Sequence, residues 1–279
     1  MAKILDGKLL ALTIRGKIRD RVSTLPSEPG LAVLLVGNDP ASHTYVDLKK
    51  VACEEAGIHF ELFLYDASVG EQELIDKIHE LNLRTNIHGI LVQLPLPTQD
   101  AHVIIPEIDP LKDVDGFHAE NLKRLREGKP CIASAVALGV MKLIRAAVGD
   151  GPLPPTATIV SSPFFAVPLE TLLREQRVEV TVTQAEDPEL VDKTKKADIL
   201  VVAEGIPNLI RATHVKPGAI VIDVGTTKVN EVLKGDVDFD AVEPIASAIT
   251  PVPGGVGPMT VAMLLVNILK AYQLQNIDT

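Results

Sequence analysis

Tyr45 and Lys49 stand four residues apart in the segment Pro40-Ala-Ser-His-Thr-Tyr-Val-Asp-Leu-Lys49. On a helix that spacing raises both side chains from one face, so an aromatic surface and an amine are offered together. A desolvated amine is a general base. Taken alone the pair reads more simply as a packed aromatic and a solvated surface charge. Three further segments bear on the choice. Gln93 ends the apolar run Gly89-Ile-Leu-Val-Gln, where a side-chain amide requires a partner unless it lies in an exposed loop before the two prolines. Asp115 precedes a glycine in Asp113-Val-Asp-Gly-Phe117, which is also an ordinary turn signal. Thr250-Pro-Val-Pro-Gly-Gly-Val-Gly-Pro-Met-Thr260 carries three glycines and three prolines. It reads as a stiff loop whose backbone closely approaches a ligand, or as a stiff connector before a final helix.

The elements that position these residues follow from hydrophobic period. Leu31–Val36 is an unbroken β-branched and leucine run, the pattern of a strand covered on both faces. Gly37–Pro40 turn the chain, and Ala41–Gly57 reads as a helix stopped by glycine, so Tyr45 and Lys49 lie near its start, at the carboxyl end of a strand. Open α/β sheets bind ligands there. Leu9–Val22 reads as an amphipathic helix, Ile58–Tyr65 as a strand, Gln72–Leu81 as a helix and Gly89–Leu94 as a second buried strand. Prolines 95, 97, 106 and 110 mark a loop-rich passage. After a helix at 134–148 and a Gly/Pro joint at 149–155, the alternation restarts with strands at 157–160, 178–182, 199–203 and 220–224. Helices are expected at 168–176, 188–195 and 259–272. Alternating strands and helices imply right-handed crossovers and parallel sheets. The expected architecture is α/β in two domains, 1–140 and 141–257, with a cleft between them and helix 258–279 packing back on the first.

Composition narrows the function classes. The chain has 279 residues, 46% hydrophobic, with a net charge of −10, an ordinary globular composition without the basic footprint of nucleic-acid binding. Two cysteines, Cys53 and Cys131, are too few for a disulfide framework or a zinc site, and no metal is expected. The first residues lack the apolar core of a signal peptide, and the longest apolar stretch, near Val261–Ile268, is interrupted by Asn267. A cytoplasmic protein is expected.

Taken together, Val36–Ser42 with Tyr45–Lys49, Gly89–Pro97, Lys112–Phe117 and Pro251–Thr260 resemble the bifunctional methylenetetrahydrofolate dehydrogenase/methenyltetrahydrofolate cyclohydrolase family over nearly the whole chain. The resemblance implies a folate substrate, NADP or NAD as cofactor, a Rossmann-like second domain and a homodimer. It implies Lys49 as the central catalytic amine, Gln93 as its hydrogen-bond partner, Tyr45 packed on the folate and Asp115 holding the pterin ring. Val92, Leu94 and the loop Pro253, Gly254, Gly255, Val256 and Gly257 would complete the substrate site. Such a set suits a one-carbon unit interconverted between methylene and methenyl and then hydrolysed to formyl. The methenyl carbon is cationic, so a neutral amine beside it serves as base where an ammonium would repel it. Desolvation and the cationic substrate both favour the neutral amine. Gln93 either adds to that shift or only orients the amine.

For the cofactor, the resemblance implies Ser161, Ser162, Pro163 and Thr226. Here the sequence departs from the family pattern. Val160-Ser-Ser-Pro-Phe-Phe-Ala-Val-Pro168 contains no glycine, Glu186 and Asp187 stand where a 2′-phosphate would be held, and Glu204 adds a carboxylate. These departures predict dinucleotide binding that is weak, altered or lost, with cyclohydrolase activity surviving alone. Backbone amides cradling NAD in a rearranged loop are the counter-reading. A folate-binding protein without catalysis is the rival from another class.

Overall fold

The computed structural model describes residues 1–230 and 232–276. In chain order the elements are β1 (Lys3–Ile4), α1 (Gly7–Val22), β2 (Gly30–Val36), α2 (Pro40–Ala56), β3 (His59–Tyr65), α3 (Glu71–Leu83), β4 (Gly89–Val92), α4 (Ala101–Ile104), α5 (Ala119–Arg126) and α6 (Ala135–Val148). They continue through β5 (Thr156–Ser161), α7 (Pro163–Glu175), β6 (Glu179–Thr183), α8 (Leu190–Thr194), β7 (Ile199–Ala203), β8 (Ile220–Asp223), β9 (Thr227–Val229), β10 (Val232–Lys234), α9 (Phe239–Val242), β11 (Ala248–Ile249) and α10 (Val256–Gln275). The chain divides into two units. One combines Leu12–Ala135 with the chain from Val261 onward; the other combines Met1–Ala11 with Val136–Thr260. Among the described residues no helix is long and apolar enough to cross a membrane.

In the unit that holds Lys49, β2 is the middle strand of a parallel sheet ordered β3-β2-β4. All seven residues of β2 are buried, as its unbroken apolar run requires. Ala32, Leu34 and Val36 pack with Leu74, Ile78 and Leu81 of α3 and with Ile90, Val92 and Ile104. Each such Leu or Ile removed from water stabilises the unit by about 1.5–3 kcal/mol. Asp39 caps α2 by accepting from the Ser42 amide at 2.8 Å, Pro40 takes the first turn, and Gly57 ends the helix in the left-handed region at φ 72°. The buried face of α2 carries Ser42, Val46, Lys49, Cys53 and Ala56. Lys49 is therefore on the packed side of the helix.

Two devices bring the Asp115 segment beside β4. A side chain at Gly89 would lie 2.6 Å from Val114 Cγ1, so the glycine lets residues 112–114 run against the strand, where the Ile90 amide donates to the Lys112 carbonyl at 2.7 Å. The buried Lys112 ammonium donates to the Leu81 and Arg84 carbonyls at 3.1 and 2.7 Å, closing the carboxyl end of α3.

The other unit is a six-stranded parallel sheet ordered β1-β11-β8-β7-β5-β6. Its core joins Val160, Leu200, Val202, Val221 and Ile249. The pairing of β1 with β11 places residues 1–11 in this unit, whereas the sequence division put them with 12–140. A two-residue strand gives no periodic signal, which is why pairing alone reveals it. Gly7 makes the same point at close range: a Cβ there would stand 1.8 Å from the Gly255 carbonyl oxygen.

Several elements differ from expectation. The short α4 lies in the proline-rich passage read as loop, and α5 offers only two apolar residues three apart, Leu122 and Leu125, as its signal. The helix expected at 168–176 begins at Pro163, because Ser162 caps it and Pro163 suits its first turn, leaving Pro168 inside the helix. The last helix starts at Val256 and is followed to Gln275; positions 277–279 of the expected 258–279 range lie outside the described residues.

Candidate active site

Lys49 Nζ donates to Gln93 Oε1 at 2.7 Å, and both side chains are buried. Gln93 is itself fixed, because its amide nitrogen donates to the Leu94 carbonyl at 2.6 Å and its backbone amide to the Leu34 carbonyl at 2.9 Å. A strand end and a helix face thus hold one amine from two sides. Burial lowers the Lys49 pKa, and the carboxylate of Asp115 opposes that shift. Burial raises the Asp115 pKa to about 6; Lys49 pulls it down and Asp113 adds to the rise. The amine is lowered from its usual range, the carboxyl is raised from its own, and each charge acts on the other. The Gln93 amide oxygen accepts from the Lys49 nitrogen and so fixes its position. Tyr45 lies half-buried one turn before Lys49.

Asp115 is presented by a turn that the sequence reading did not assign a role. Asp113 Oδ1 accepts from the Gly116 amide at 3.0 Å, and its Oδ2 accepts from the His118 amide at 2.7 Å. Gly116 has φ 78°, and a Cβ there would meet the Ala133 carbonyl carbon at 2.4 Å. The Ala135 amide donates to the Asp115 carbonyl at 3.1 Å. Asn267 Nδ2 donates at 2.8 Å to the Val114 and Ala133 carbonyls, so the polar residue that interrupts the apolar closing helix clamps this loop. A lone amide in an apolar helix is the signal that marks such a residue. Replacing Asp113 by Ala leaves buried donors without acceptors at roughly 1–3 kcal/mol each. Urea denaturation of Asp113→Ala is expected to show a loss of about 2–4 kcal/mol, together with a raised folate KM.

The remaining candidates fall elsewhere. Val92 belongs to the core with Leu34 and Ile90, so its side chain serves packing rather than a ligand. Leu94 is half-buried. Pro253, Gly254, Gly255, Val256 and Gly257 lie in the six-stranded unit. There Gly254, at φ 109°, accepts from the Lys8 amide at 3.0 Å, and Val256 opens α10.

The cofactor candidates all stand at carboxyl ends of strands in the six-stranded unit. Ser161 ends β5, with its hydroxyl donating to the Ser162 carbonyl at 3.2 Å; Ser162 caps α7, Pro163 is its first residue, and Thr226 is exposed in the turn after β8. Strand order reverses between β5 and β7, since β5 is followed in the chain by β6 on one side and later by β7 on the other. Ligands of doubly wound sheets bind outside the carboxyl ends of strands at such a point. The thirteen-residue α7 starts directly there, its amino end facing the place a pyrophosphate would take. The residues present therefore fit a dinucleotide: Ser161–Pro163 with the start of α7 would hold the pyrophosphate, without the usual glycine turn.

The family model for the tetrahydrofolate dehydrogenase/cyclohydrolase catalytic domain matches residues 5–115, and that for the NAD(P)-binding domain of the same enzymes matches residues 134–276. The chain belongs to the tetrahydrofolate dehydrogenase/cyclohydrolase family. It is 46% identical over 278 residues to the bifunctional protein FolD of Geobacillus thermodenitrificans, covering 97% of each chain. The bifunctional FolD methylenetetrahydrofolate dehydrogenase/cyclohydrolase of Campylobacter jejuni superposes with a TM-score of 0.93 at 40% identity, over 99% of this chain and 100% of that one. FolD of Trypanosoma brucei, solved with NADP cofactor and inhibitor, gives 0.94 at 34% identity, over 100% and 99%. The tetrahydrofolate dehydrogenase/cyclohydrolase assignment corrects two expectations. The nucleotide-binding family model spans the glycine-free turn, so that turn does not signal a lost cofactor. A folate binder without catalysis has no support in this family either.

Proposed function

We propose that this chain hydrolyses 5,10-methenyltetrahydrofolate to 10-formyltetrahydrofolate and oxidises 5,10-methylenetetrahydrofolate with NADP or NAD. The observation that carries the reading is the buried Lys49–Gln93 contact at 2.7 Å beside Asp115. Burying an amine costs its hydration; Lys112 recovers it from the carbonyls that end α3, whereas Lys49 is held by the side-chain amide of Gln93. In hydrolysis, Gln93 aims the Lys49 nitrogen, and the neutral amine takes a proton from the water attacking the cationic one-carbon bridge. The carbon–oxygen bond forms as water gives up that proton; loss of the remaining hydroxyl proton then makes the carbonyl while one carbon–nitrogen bond breaks and the released nitrogen takes a proton back, so the formyl group stays on the other nitrogen and one proton is released overall. Asp115 hydrogen-bonds the pterin, and Tyr45 packs against it. In the oxidation the bound nicotinamide supplies a hydride acceptor; Lys49, Asp115 and Tyr45 keep the same folate in place.

Purified protein is expected to consume methenyltetrahydrofolate without nucleotide and to reduce NADP or NAD when given methylenetetrahydrofolate. Absence of both activities in folded protein would end this reading. Cys53 and Cys131 are both buried and no disulfide joins them, which supports a cytoplasmic setting. The edge strand β3 exposes Leu62 and Leu64, which supports a homodimer; light scattering at twice the chain mass checks it, and a monomer at micromolar concentration contradicts it.

A further inference from the structure

NAD and NADP differ by one phosphate on the adenosine ribose, and this inference deepens the nucleotide-binding reading above to a choice between them. In a doubly wound sheet an acidic side chain about twenty residues beyond the phosphate-binding turn accepts from the ribose 2′-hydroxyl, whereas a basic one accommodates a 2′-phosphate. Here the phosphate-binding turn follows β5, and the next strand end is the turn Gln184-Ala-Glu-Asp187 after β6. Asp187 is committed internally. Its Oδ2 accepts from Thr183 Oγ1 and Lys193 Nζ, both at 2.6 Å, and its Oδ1 accepts from the Glu189 amide at 2.8 Å. Lys193, the cation of this corner, is spent on Asp187 and on Glu189 at 3.2 Å.

Two carboxylates remain. Glu186 is exposed at the tip of the turn. Glu204, which follows β7, accepts from the Ala185 amide at 3.1 Å. Because β5 lies between β6 and β7, this contact carries the Glu204 carboxylate over the carboxyl end of β5, beside the start of α7. Burial raises the Glu204 pKa, and the charges of Glu186 and Asp236 push it the same way, so Glu186 and Glu204 share one small region. The turns at 161–163, 184–189 and 203–207 contain no Lys, Arg or His. Arg174 and Arg177 lie at the amino end of β6, where Arg174 donates to the Val180 carbonyl at 3.1 Å.

We propose that the nucleotide site takes NAD in preference to NADP, with Glu186 and Glu204 as the selecting carboxylates. A ribose hydroxyl donates to a carboxylate, and such charge-assisted bonds are the strong ones. A phosphate dianion placed there meets two like charges, and the nearby cation, Lys193, is already held by Asp187 and Glu189.

The test is calorimetric titration of the full chain with NAD and with NADP, without folate and without turnover. NAD is expected to bind at least about tenfold more tightly, roughly 1.4 kcal/mol. In the double variant Glu186→Gln/Glu204→Gln the gap is expected to narrow, chiefly through tighter NADP binding. Glutamine at 204 keeps an oxygen for the Ala185 amide, and a circular dichroism melt confirms that the variant is folded. The single variant Glu186→Gln, changed at an exposed position, should narrow the gap in part and serves if the double variant does not fold. NADP binding as tightly as NAD, or a gap unchanged in a folded variant, overturns the selectivity. Failure of both nucleotides to bind overturns the nucleotide-binding reading itself, and the selectivity with it.

Discussion

Lys49→Met is expected to lower kcat for methenyltetrahydrofolate hydrolysis by about 10²–10⁴-fold, the range that a positioned proton acceptor contributes, while largely keeping folate binding. Methionine has nearly the length of the lysine stem and no charge to desolvate. The buried site on α2 should therefore accept it, and the melting temperature should hold or rise. That combination separates a catalytic amine from a structural one. A lysine needed only for packing would show little loss of turnover, and one needed only to bind folate would show its effect in the dissociation constant. Stopped-flow hydrolysis and equilibrium folate titration on one preparation distinguish these cases. Unchanged turnover would refute the assignment.

Asp115→Asn should act on both pH dependence and affinity. The carboxylate favours the charged form of Lys49 and so raises its pKa against the lowering effect of burial. Removing that charge lets the Lys49 pKa fall further. The amine is the active form above its pKa, so the pH–rate profile of hydrolysis should move to lower pH. Losing a hydrogen bond to a charged group costs about 1.5–3 kcal/mol, so folate KM should rise roughly 10–100-fold. A profile that moves to higher pH, or an unaltered KM, would contradict the role given to Asp115.

Much of the Lys49 unit is legible in the sequence because its signals are local. The apolar run at 31–36 specifies a buried strand, and the Pro40 start and Gly57 stop bound α2. The four-residue spacing then fixes Tyr45 and Lys49 to one face. Gln93 is legible by the cost of leaving its amide alone at the end of an apolar strand. What escapes is non-local. Asn121 and Asn267 act through contacts that only the fold creates: Asn121 accepts from the Ile132 amide at 3.2 Å, and Asn267 reaches carbonyls more than a hundred residues away. Strand β1 is two residues long and exists by virtue of its pairing with β11. The turn at 160–168 misleads for a different reason. Its missing glycines suggest a damaged loop, whereas Ser162 and Pro163 start the helix early and set its amino end directly after β5.

The central claim is that Lys49 presents an uncharged amine near neutral pH. Nuclear magnetic resonance titration of the chain labelled with 15N at lysine side chains tests it directly, with the Lys49 signal assigned by its absence in Lys49→Met. The account predicts that this nitrogen loses its proton well below the pH at which the exposed lysines do. Deprotonation together with them, or above them, would contradict it.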